Sequence, residues 1–83
     1  MNTEFLLTHL KEAQEELDSI INTLKNNSKH PEVSFEIEIQ HLYHHLNTAW
    51  NGRNSLANEE ETDEIFYKRR QFPTDIDMTR HEE

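Results

Sequence analysis

The sequence predicts an all-α protein, an antiparallel helical hairpin of two long helices with a short third helix, and the pairing of two such hairpins into a four-helix bundle. Three observations carry this reading. Apolar residues recur at alternating spacings of three and four from Leu6 to Leu56, the period of an amphipathic helix. One cluster of turn formers, Asn26-Asn27-Ser28-Lys29-His30 before Pro31, divides that pattern in two. With 33% apolar and 30% charged residues, the large side chains suffice for narrow stripes along helices and not for a broad globular core.

The first helix is expected over 3–26. Leu6, Leu10, Ala13, Leu17, Ile20 and Leu24 form its buried stripe, and Leu7 and Ile21 widen it on one side. Lys11, Glu12 and Glu15 fall on the opposite face, where water solvates them. Thr3 is the expected N-cap, with Glu4 favourable to the dipole of the first turn.

Pro31 supplies a fixed φ suited to the start of a second helix, expected over 31–57. Its stripe runs Phe35, Ile39, Leu42, Leu46, Ala49, Arg53, Leu56, with Trp50 beside it. Val33, Phe35, Ile37 and Ile39 also alternate strictly, as in a half-buried strand, but a lone strand would have no partner, so the helix is preferred. On that reading Val33 and Ile37 make a second apolar face for a partner to cover. Gly52 weakens a helix interior by roughly 1 kcal/mol relative to alanine, so either the helix ends there or two parts of the chain approach closely.

A third helix is expected over 59–71, with Asn58 as N-cap and Glu61 completing an approximate capping box. Ile65, Phe66 and Phe72 are its apolar residues, and Phe72-Pro73 ends it. Residues 1–72 then form one domain, and 73–83 a polar tail that is flexible or lies extended on a partner.

Composition narrows the function. Seventeen acidic against eight basic residues give a net charge of -9, which opposes nucleic-acid binding. The basic run Lys68-Arg69-Arg70 follows the acidic run Glu59-Glu60-Glu61, the order a helix dipole favours. The lack of cysteine removes disulfides, thiolate metal sites and thiol catalysis. No apolar run approaches the ~20 residues that span a bilayer, and the first residues do not read as a signal peptide, so no membrane partner and a cytoplasmic location are expected.

Glu38, His41 and His45 share one flank of the second helix, with His44 adjacent. Imidazoles and a carboxylate at these spacings suit zinc, nickel or iron, with Glu16 of the first helix as a fourth ligand. The competing reading is a set of solvated boundary side chains. Arg53 interrupts an apolar stripe and calls for a carboxylate, with Glu4 opposite it and the Trp50 ring available for stacking. Asn47, Asn51, Asn54 and Asn58 line one face, which suits either a polar partner or water. One glycine precludes a phosphate-cradling loop, and no serine, histidine and carboxylate spacing favours a triad, so no enzyme activity is expected.

The function expected is a small acidic protein–protein interaction module, an adaptor or regulatory subunit that homodimerises, with Val33, Ile37, Trp50 and Arg53 at the interface. Two hairpin stripes bury too little apolar surface to offset the entropy of ordering the chain, so either the third segment folds across the open side of the hairpin into a three-helix monomer or a second copy covers it, and the extra apolar face at Val33 and Ile37 favours the second copy. The alternatives are a metal-binding bundle using Glu38, His41 and His45, and an acidic mimic of DNA suggested by charge density alone.

Overall fold

A computed structural model describes residues 1–80; of the tail expected over 73–83, residues 81–83 lie outside the described residues. The chain is all-helical, with α1 (Thr3–Asn26), α2 (Glu32–Asn51) and α3 (Asp63–Arg69), and no strand occurs among the described residues. The alternating segment 33–39 is therefore helical, inside α2. None of these helices is long and apolar enough to cross a membrane.

The first N-cap is Asn2, not Thr3. Its Oδ1 accepts from Phe5 N at 3.1 Å, while its backbone N donates to Arg53 O at 2.6 Å and its Nδ2 to Ser55 O at 3.1 Å. One asparagine thus caps α1 and ties it to the end of α2, a combination that threonine, with no amide donor, does not offer. At the other end, Asn27 Oδ1 accepts from Lys29 N at 3.1 Å and Asn27 O from His30 N at 3.2 Å, closing a tight turn. Pro31 (φ -63°, ψ 140°) precedes α2, and its carbonyl accepts from Ser34 N and Phe35 N.

The hairpin core is thin. Ala13 and Ile20 of α1 and Ala49 of α2 are buried, with Leu6, Phe35, Ile39 and Leu42 half-buried around them. The second line of the expected α1 stripe does not turn inward: Leu10, Leu17 and Leu24 are 46%, 44% and 42% exposed, and Leu46 of α2 is 42% exposed. Burial on α1 thus follows the Leu6, Ala13, Ile20 line, with the leucines at its edge.

α2 stops at Asn51 instead of continuing to 57, and Gly52 is its C-cap. Both consequences expected of that glycine hold. A Cβ placed there would lie 2.5 Å from the Phe5 ring and 3.1 Å from Thr48 O. Phe5 is itself held, with the His9 ring 4.5 Å away and the Arg69 guanidinium 5.3 Å above it. Gly52→Ala should therefore destabilise by about 1 to 3 kcal/mol through overpacking, against the gain helix propensity alone would give. Urea denaturation checks the sign, and a double-mutant cycle with Phe5→Leu should recover much of the loss.

α3 begins later than expected. Thr62, not Asn58, is the N-cap, its Oγ1 accepting from Ile65 N at 3.2 Å, with Asp63 and Glu64 in the first turn and Lys68 and Arg69 in the last. Residues between Gly52 and Thr62 form a connection in which Ser55 N donates to Gly52 O and Glu59 N to Leu56 O. The short helix packs on α2.

Candidate functional site

Three side chains from the two long helices converge on the side of the hairpin that carries α3. His9 and Glu12 are one turn apart on α1, and His45 faces them from α2 because the antiparallel register sets Glu12 level with it. Glu12 Oε2 lies 3.2 Å from His45 Nδ1 and 3.9 Å from His9 Nδ1. One donor atom from each of the three lies within 4.8 Å of the other two. They border an open cleft of about 250 Å³ shared with Thr48, Phe66 and Arg70. His9 Nδ1 is shielded from solvent and has no hydrogen-bond partner.

Among the described residues, His9, Glu12 and His45 are the set a single ion could reach. Of the ligands expected from sequence, only His45 belongs to it. The Glu38 carboxylate is paired with His30 Nε2 beside the turn. His41 is exposed, its ring 6.4 Å from that of His44. Glu16 is half-buried along α1. The sequence pattern gives no sign of His9 as a ligand, and Glu12 is not merely solvated: a glutamate beside the seam is long enough to reach the neighbouring helix.

His44 faces α3. Arg70 Nη2 donates to His44 Nδ1 at 2.7 Å, and since arginine has no acceptor, that imidazole is neutral with its proton on Nε2. Burial, then the Arg70 charge, then His41 and His45, hold the His44 pKa below 6.5. Burial is also the main cause lowering His9, reinforced by His45 and Arg69 and opposed by Glu12 and Glu61. Both groups take up protons more readily unfolded than folded. Their contribution to stability is thus complete above the unfolded value of 6.5 and declines as pH falls below it through the lowered folded values. The melting temperature should fall between about pH 7.5 and pH 5.5, and fall less in a His9→Asn, His44→Asn variant.

The remaining expected residues sit elsewhere. The Arg53 guanidinium lies 3.9 Å over the Trp50 ring, as the sequence suggested, but its carboxylate is Asp75 at 3.3 Å, not Glu4. Trp50 Nε1 donates to Asp75 Oδ1 at 2.8 Å, and this bond first, then Arg53, holds the Asp75 carboxyl below its usual range. Asp75 belongs to the segment expected to be flexible or to lie extended on a partner; it is instead tied at this point to the chain's own α2 and its C-terminal turn. Val33 and Ile37 are 64% and 50% exposed, and Ile37 borders a groove with Tyr43 and Phe72 beside α3. No family model, curated protein or solved structure matches the chain.

Proposed function

We propose that this chain is a protein–protein interaction module whose first partner is a second copy of itself, two hairpins packing into a four-helix bundle. The observation that carries the reading is a second seam on α1. Leu6, His9, Ala13, Glu16, Ile20 and Thr23 step by three and four and face α2, whereas Thr3, Leu7, Leu10, Gln14, Leu17, Ile21 and Leu24 step by four and three beside them. A helix with two such seams is built to touch two neighbours, and the second seam is exposed.

The placement of that seam favours a hairpin as its partner. Glu12 and Ser19 flank the buried Ala13–Ile20 line on one side and Leu10, Leu17 and Leu24 on the other. Glu12 reaches toward α3's side of α2, so the leucines lie on the face away from α3, next to Leu46. The seam follows the 24 residues of α1, about 36 Å by the roughly 10 Å width of one helix, about 360 Å², and Leu46 begins its continuation onto α2. A standard stable interface takes about 800 Å² from each partner, so a dimer on this face uses α2 as well as the seam. The seven seam positions contain no charged residue in a chain of net charge -9, so two copies meet there with little repulsion.

Val33 and Ile37 remain exposed on the α3 side of such a dimer and offer a surface to a further protein. No catalysis is assigned to the module. Light scattering on the full chain tests the reading: a molar mass of about twice 10.0 kDa supports it, and 10.0 kDa maintained up to about 100 μM, where a dimer of micromolar affinity is nearly complete, sinks it.

A further inference from the structure

We infer that His9, Glu12 and His45 form a binding site for one zinc-class divalent ion per chain, clamping α1 to α2 beneath α3. Two imidazoles and one carboxylate are a donor set suited to Zn²⁺ and its neighbours Co²⁺ and Ni²⁺, and too rich in nitrogen for Ca²⁺ or Mg²⁺. Ligand atoms bound tetrahedrally at about 2.0 Å stand about 3.3 Å apart. The separations of 3.2 Å and 3.9 Å from Glu12 Oε2 to the two imidazole nitrogens are close to that value before any ion is present. The third pair, between the two imidazoles, lies within 4.8 Å, and closing it takes rotation of the partly exposed His9 and His45 rings, while Glu12 is half exposed and free to follow.

A second observation points to a ligand independently. His9 Nδ1 is shielded from water, has no hydrogen-bond partner, and belongs to the group that gathers around Glu12. A buried polar nitrogen without a partner is costly unless something binds it, and coordination would satisfy it. The nearby cations do not block the site. Arg70 is engaged by His44 Nδ1 and stacks 4.9 Å from Phe66, and Arg69 is paired with Glu59 at 2.6 Å. Three protein donors leave a coordination position open to water on the cleft side.

The site lies on α3's side of the hairpin, away from the face proposed for dimerisation, so the two proposals fail separately. The test titrates the metal-free full chain with Zn²⁺ by calorimetry and with Co²⁺ by visible absorption, near pH 7.5 where imidazole is free of protons. Expected are one ion per chain and a loss of at least about tenfold in affinity for His9→Ala and for His45→Ala, since even indirect partners of a metal produce that much. His30→Ala and His41→Ala should bind as the parent does. If either alanine variant at the site loses its helical circular dichroism, Glu12→Gln, at a half-exposed position, decides by the same criterion. Absence of binding by the parent chain, binding that survives His9→Ala, or binding that depends on His41 or His30 would overturn the assignment.

Discussion

Replacing Asn47 and Asn51 together by alanine is expected to cost about 2 to 4 kcal/mol and to release α3 from the hairpin. The last carbonyls of a helix have no partners within it and are often satisfied by a glycine-based cap. α3 has none: its C-cap is Arg70, at φ -77° and ψ -12°, and the chain's one glycine is at position 52. The carbonyls are met instead from α2. Asn47 Nδ2 donates to Arg70 O at 3.0 Å, and Asn51 Nδ2 donates to Arg69 O at 2.9 Å and to Gln71 O at 2.8 Å. Asn47 is only 6% exposed and its bond to Arg70 O is partly buried, so its loss leaves that carbonyl without its protein donor in a place only partly open to water. A helix of seven residues does not persist unsupported, so undocking and unfolding of α3 coincide. Urea denaturation gives the stability loss, and amide hydrogen exchange should rise throughout 63–69 while α1 keeps its protection. Asn54→Ala and Asn58→Ala, exposed in the connection beyond the end of α2, should change stability by less than about 0.5 kcal/mol. A double variant at Asn47 and Asn51 within that limit would show that the amides do not hold α3.

The asparagine stripe also marks the boundary between what could be read in the sequence and what could not. Its spacing was visible, and so was the oddity of a poor helix former used repeatedly, but the polar partner proved to be the chain's own third helix. Periodicity fixes which residues share a face. It does not say which distant segment covers them. The same reason explains Arg53: the need for a carboxylate and the Trp50 ring were legible, yet Asp75 is supplied by a bend 22 residues later. Glu12 shows a different gap. A helical wheel sorts residues by Cβ direction, whereas a glutamate carries its charge several bonds further and can cross the seam. Gly52 marks a break in the pattern, but the sequence does not say that the Phe5 ring lies against it, nor that the cap of α3 is Thr62 and not Asn58. Both are contacts with particular atoms, which composition does not encode.

Leu17→Glu should weaken self-association by at least about a hundredfold, or about 2.7 kcal/mol, while leaving the hairpin folded. Leu17 sits midway along the outer seam, and it is 44% exposed in the single chain, so a glutamate there can keep its carboxylate in water. In a two-fold dimer of hairpins each copy would bring one such carboxylate into the apolar interface, and the symmetry that repeats every favourable contact repeats the desolvation as well. Val33→Glu supplies the comparison. Val33 is more exposed and lies on the other side of α2, so its change adds the same charge to the chain without touching the outer seam. Sedimentation of the two variants at equal concentration therefore separates a local contact from a general effect of net charge. Dissociation by Leu17→Glu alone places the interface on the α1 seam. Dissociation by Val33→Glu alone would move it to the Val33 and Ile37 surface, and equal weakening by both would assign self-association to charge balance and remove the second seam's claim to a partner.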